Sequence, residues 1–219
     1  VVVTVRAFAL ALLTLSACGN APEPMTPVPP PTSWEAEIAA DRAARDEAFR
    51  QDPDSPLPRA ARAGFTGLEY FPIDPGWRYG GAIEAYPAPE RTTIVTTMGE
   101  PRPAERWGRV RFLHDGRVLT LQVYRLLDLP DRAGGAGLFL PFKDATSGKE
   151  TYAAGRYVDL EGPDGGPFTL DFNRAYNPSC AYGEPERFQC PATPADNVLP
   201  IAVTAGERGP AGVAGERAR

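Results

Sequence analysis

Only two lysines, Lys143 and Lys149, interrupt a set of 23 basic residues that is otherwise all arginine. They lie in one segment with Asp144, Thr146, Ser147 and Tyr152, and Arg156 and Tyr157 follow closely. Where arginine is the default cation, a position that keeps lysine favours a compact ammonium, able to rotate or lose its proton, over a planar fork. The 143–157 segment is therefore a candidate site for a polar ligand. The competing reading is a solvated turn whose Asp, Thr and Ser side chains bond their own backbone. Ser147 with Lys149 or Lys143 as base would form a Ser-Lys hydrolase dyad, since residues two apart share a face of extended chain. No recognisable oxyanion-hole motif accompanies it. Ser147-Gly148-Lys149 lacks the upstream glycine of a phosphate loop. A Ser-His-Asp triad would need His114, the only histidine, which falls at an expected hairpin tip where an exposed turn residue is expected.

A second constellation, Asp171, Asn173, Arg174 and Tyr176, crowds hydrogen-bonding groups just after an expected strand, where a strand end can feed a pocket mouth. The alternative is a structural corner, with Asn and Asp capping turns and Arg174 paired to an acid.

The elements that must position these groups are short. Glycine and proline make up about a fifth of the 219 residues, which favours strands joined by many turns. Strand patterns fall at 79–85, 92–98, 107–113, 118–124, 137–142, 156–160, 168–172 and 199–204. His114-Asp115-Gly116-Arg117 closes a hairpin, and Pro163-Asp164-Gly165-Gly166 makes a further turn. Leu119, Leu121 and Val123 alternate with Thr120, Gln122 and Tyr124, as a sheet with one face on the core requires. One helix is expected over 33–50, with a capping box from Thr32 to Glu35 and a thin apolar face of Trp34, Ile38 and Phe49. The expected fold is mainly β, a β-rich α+β domain over 34–206, with a closed or sandwiched antiparallel sheet of seven or eight short strands and one N-terminal helix.

Arg6, the apolar run 7–15 and Leu15-Ser16-Ala17-Cys18 look like a lipoprotein leader ending in a lipobox. Cleavage before Cys18 and lipidation of its thiol would fix the chain to a membrane, facing the periplasm. The apolar run is too short to span about 30 Å of hydrocarbon. Gly19 after the cysteine, by resemblance to the best-known sorting rule, points to the outer membrane. Residues 18–33 contain six prolines and few large apolar side chains, so they are expected to be a semi-extended tether a few tens of ångströms long. Cys180 and Cys190 remain, and an oxidising periplasm would join them. A metal site, the rival reading, would need two more ligands, and no His or Cys is left nearby. The tail 207–219 runs in Gly-x-y triplets too few for a collagen-like trimer and is expected to be disordered.

The string from Leu138 through Pro141, Phe142, Gly148 and Lys149 to Tyr152, followed by Gly155-Arg156-Tyr157, resembles the central signature of the DUF1684 family. So do Asp171-Phe172-Asn173-Arg174-Ala175-Tyr176-Asn177-Pro178 with Cys180, then Cys190-Pro191 and Asn197-Val198-Leu199-Pro200. The resemblance runs from Trp34 to Glu207. It implies a family of bacterial domains, some of them exported, with no activity attached. Ala153-Ala154 stands where the family more often shows glycines.

A net charge of −5 without a dense Lys/Arg cluster leaves no footprint for a nucleic-acid backbone. No cofactor motif is present, and nothing in the sequence defines an oligomeric state. The expected function is a non-catalytic envelope lipoprotein binding a polar small molecule or envelope polymer through 143–157 and 171–177. A Ser147 hydrolase and a protein–protein adaptor are the alternatives. A binder calls for one pocket joining the two segments, a hydrolase for Ser147 beside a lysine, and an adaptor for a flat apolar patch.

Overall fold

The computed structural model describes residues 22–128, 137–160, 167–183 and 187–210. The lipobox region, the 163–166 turn and the tail beyond 210 lie outside these residues.

Two antiparallel sheets form the fold, and neither closes into a barrel. The larger one orders β3 (Glu84–Val95), β4 (Pro101–His114), β5 (Arg117–Leu126), β6 (Leu138–Phe142) and β7 (Arg156–Asp159) as a meander. The smaller places β2 (Arg78–Gly81) between β1 (Thr26–Pro27) and β8 (Phe168–Asp171). The β4–β5 hairpin turns at Asp115 and Gly116, with φ of 46° and 73°. Two left-handed residues in succession make the tight turn whose twist matches the strands it joins. Along β5, Leu119, Leu121 and Val123 point into the core and Thr120 is exposed, but Tyr124, expected on the water-facing side, is buried in a second cluster with Phe139 and Tyr157. Side chains from both sheets meet in one apolar cluster that includes Tyr79, Phe112, Leu121, Leu140, Leu170 and Phe172.

Helix α1 (Trp34–Gln51) buries Trp34, Ile38 and Phe49, the three apolar positions expected. Its start differs from expectation. The Thr32–Glu35 box does not form, and the Ser33 hydroxyl instead donates to Glu37 Oε1 one turn on (2.6 Å). A second, one-turn helix, α2 (Arg59–Arg62), was not anticipated.

Three boundaries are corrected. The stretch 79–85 is not one strand, since the chain leaves one sheet at Gly81 and enters the other at Glu84. The tether ends sooner than its composition suggests. Met25 is only 1 % exposed, and its backbone bonds Arg111 O and Leu113 N (2.7 and 2.8 Å). Gly81 makes room for it, because a Cβ there would come 2.7 Å from Met25 Cγ. At the other end, Glu207 is fully buried, while Arg208 N and Gly209 N bond Glu69 O and Glu150 O (both 2.8 Å), so the start of the expected tail is part of the fold.

Residues 199–204 bury Leu199 and Val203 with the alternation of a strand yet form none. Pro200 has no N–H for a ladder. The backbone of this stretch bonds the 143–145 segment, through Leu199 N to Lys143 O (2.8 Å) and Ala145 N to Ile201 O (2.9 Å).

Candidate functional site

The 143–157 segment folds into a closed knot around Asp144. Its Oδ2 accepts from Arg156 Nη2 (2.9 Å) and Val203 N (2.8 Å). Its Oδ1 accepts from Thr146 N (3.1 Å), Thr146 Oγ1 (2.6 Å) and Ser147 Oγ (3.2 Å). Arg156, itself 1 % exposed, also donates to the carbonyls of Val203 (2.8 Å), Ala205 (2.6 Å) and Glu207 (3.2 Å). A buried ion pair repays its desolvation only when such further bonds complete it. Here they clamp the 203–207 segment, which has no ladder of its own, onto β7. The Thr146 and Thr151 hydroxyls pair at 2.9 Å, and the backbone amides of 149, 150 and 151 all turn back to Thr146 O.

Most polar side chains of this knot are turned to one another. Ser147 Oγ is engaged by Asp144, accepting from its amide at 3.1 Å and donating to its carboxylate, so no Ser-Lys dyad forms. Lys143 is half-buried and Lys149 exposed, and neither side chain makes a hydrogen bond or ion pair among the described residues. Tyr152 is half-buried on the same turn. Tyr157 is buried and donates its hydroxyl to Pro191 O. The turn reading applies, with Asp144, Thr146 and Thr151 buried and Ala145, Lys149 and Glu150 left at the surface.

The second constellation lines a groove. Between α1, β8 and the 171–176 segment lies a cavity of about 560 Å³, to which Asp171, Asn173, Arg174 and Tyr176 all contribute. No residue from 143 to 157 reaches it, so the pocket expected to join both segments takes only one of them. Its other wall is helical. Trp34, Ile38, Arg42, Arg45 and Phe49 follow one another at spacings of four, four, three and four residues, the pattern of a single helix face. Two arginines thus occupy inward positions, and Arg42 and Arg45 are both half-buried. Together with Tyr70 and Glu207 they are the groove residues that motif reading missed. The available signal was a pair of charges on the apolar stripe of an amphipathic helix.

Every carboxylate lining the groove already has a donor from the protein. Asp171 accepts from Trp34 Nε1 (2.7 Å) and from Asn173 N and Nδ2 (both 2.9 Å). Asn173 in turn exchanges bonds with the backbone of Asp74 (2.8 and 2.9 Å), so it is a structural corner as well as a groove residue. Asp41 and Glu37 face Arg174, and Asp159 accepts from the Tyr176 hydroxyl (2.8 Å). Glu207 takes Arg45 Nε (3.0 Å) and Asn177 Nδ2 (3.1 Å). Burial nevertheless pushes its carboxyl up to about 7, against the pull of Arg45 and Asn177. Gly206 admits this residue: its φ is +77°, and a Cβ there would sit 2.6 Å from Ala175 O.

The donors are less well matched. Arg42 gives one hydrogen bond, from Nη1 to Phe71 O (3.1 Å), and lies 4.4 Å above the Tyr70 ring. Its Nε and Nη2, and the Tyr70 hydroxyl, are buried without partners. Burial lowers the pKa of Arg42 and raises that of Tyr70. A second hollow of about 430 Å³ beside Pro56 and Phe188 differs in this respect, since Arg62 and Arg187 there are held by main-chain carbonyls and Asp54.

His114 is not the exposed turn residue expected. It ends β4, stacks on Trp77 at 4.3 Å between ring centroids, and its Nδ1 lies 2.6 Å from the Tyr79 hydroxyl. Cys180 and Cys190 form a disulfide, with Cα atoms 6.4 Å apart. Among the described residues no group of three or more His, Cys, Asp or Glu is placed to hold a metal ion.

A family model described as a protein of unknown function (DUF1684) matches residues 63–208. A protein of Haloarcula marismortui, uncharacterised and solved by solution NMR, is 37 % identical with a TM-score of 0.61. The match covers 80 % of the present chain and 94 % of that one. No curated protein matches.

Proposed function

Starting from the chain's membership of the DUF1684 family of unknown function, we propose that it is a non-catalytic binding protein. The groove between α1 and residues 171–176 takes a polar small molecule or part of a cell-envelope polymer. One observation carries this reading: three donor groups, Nε and Nη2 of Arg42 and the hydroxyl of Tyr70, have no partner beside a cavity whose carboxylates each have a protein donor. Buried polar groups are almost always paired, so two unpaired nitrogens on one side chain beside a cavity call for an explanation, and a ligand supplies one. The hydrolase alternative lacks its geometry, because the Ser147 hydroxyl is turned to Asp144.

The reading also has the chain exported, cut before Cys18 and lipid-anchored in the envelope, facing the periplasm, with the outer membrane as destination. Its support is the 6–18 segment alone. Labelling with a fatty-acid probe should mark the wild type and not a Cys18→Ser variant, and an unlabelled wild type would remove the anchor.

The groove is tested by native mass spectrometry of protein purified gently from its own cells. A small molecule should be retained by the wild type and absent from Thr169→Trp, which fills the cavity beside β8. Equal retention in both would rule the groove out.

A further inference from the structure

We infer that the groove's ligand is an organic oxyanion, a carboxylate or phosphate ester carried on an apolar body, with its charged head on Arg42 and Tyr70. The inference rests on the groove reading above and narrows it to one class of compound.

The inventory of donors and acceptors supports it. Asp171, Asp159, Glu37, Asp41 and Glu207 each accept from a protein donor, whereas the unbonded polar groups of Arg42 and Tyr70 are donors. The guanidinium of Arg42 has no carboxylate partner among the described residues, and two of its three nitrogens are unbonded. Guanidinium forks pair best with the parallel oxygens of a carboxylate or phosphate. The Tyr70 hydroxyl, also without a partner, lies on the ring that Arg42 covers, so one oxyanion can reach both. Nε and Nη2 are withdrawn from solvent, and Arg42 must rotate into the groove to present them. Only one hydrogen bond and the Tyr70 ring hold it back.

The remaining wall sets the body of the ligand. Pro31, Pro167 and Phe168 border the cavity with some surface exposed, so it offers apolar contact as well as polar groups. Pockets of this kind bind through apolar contact and orient the ligand with a few polar groups.

Calorimetric titration with four six-carbon probes, hexanoate, hexyl phosphate, hexanol and hexylamine, tests this directly. One or both anions should bind at least about tenfold more tightly than the alcohol and amine. Arg42→Met should abolish that margin, Arg42→Lys restore part of it, and Tyr70→Phe reduce it severalfold. Hexanoate exceeding hexyl phosphate, or the reverse, identifies the head group. Anions no better than hexanol, a margin unchanged in Arg42→Met, or no binding of any probe would overturn the inference. The groove reading survives these outcomes if a native molecule is still lost in Thr169→Trp, so the two failures are distinguishable. Circular dichroism should show each variant folded, because Arg42 and Tyr70 hold no element in place through their unpaired groups.

Discussion

Arg156 and Arg42 are both drawn from water into the same domain, and they are bonded in opposite ways. Arg156 has a carboxylate and three carbonyls around it and leaves only Nε without a partner. Arg42 has one carbonyl and an aromatic ring, and leaves two nitrogens unbonded. The first arrangement commits both terminal nitrogens to the fold, and its product is a fastened 203–207 segment. The second gives the fold little and retains capacity for something else. A buried charge marks a candidate site by what it lacks, not by its burial.

The sharpest way to break this contrast is to remove the better-bonded arginine. Arg156→Met leaves Asp144 buried and uncompensated and should cost about 3–5 kcal/mol, read from urea unfolding. Adding Asp144→Leu should recover much of that loss; a single variant within about 1 kcal/mol of wild type would show that the knot is not structural. The disulfide is a second closed element, and Cys180→Ser should cost roughly 2–3 kcal/mol by the same assay on the loop-entropy model.

Glu207 touches both regions, with its carbonyl on Arg156 and its carboxylate on Arg45. Its folded pKa is raised from 4.5 to about 7, so the folded state holds the proton more tightly than the unfolded chain. This contribution is complete below the unfolded value and disappears as pH rises through about 7. Stability should therefore fall by up to about 1.4 kcal/mol per pH unit across that window. Glu207→Gln should flatten the slope, and an unchanged slope would assign it to other groups. Arg42→Met should give the smallest effect, within about 0.5 kcal/mol of wild type or slightly more stable, since it removes donors that lack partners. A large loss would make Arg42 a second structural arginine.

Much of the fold was legible because its signals are local. Asp115-Gly116 imposes its turn, the β5 alternation its buried face, and Trp34, Ile38 and Phe49 the inward side of α1. Long-range pairing was not legible. Leu199, Ile201 and Val203 alternate as strand residues do, but the amide of Val203 is claimed by Asp144, 59 positions earlier in the chain. The proline density around Met25 reads as free tether, and only contact with β2 and β4 shows that one side chain among the prolines belongs to the core. The candidate site was half legible for the same reason. Asp171 to Tyr176 announce themselves as a polar cluster, whereas Arg42 and Arg45 sit in a helix rich in charge and stand out only once their alignment with Trp34 and Ile38 is counted.

Met25 also limits how far the domain can roam. If Cys18 carries lipid as proposed, seven residues lead from it to the buried Met25, a leash of at most about 25 Å. A leash that short keeps the folded body grazing the bilayer instead of sweeping the space beyond it, so any molecule it captures would be met at the membrane's edge.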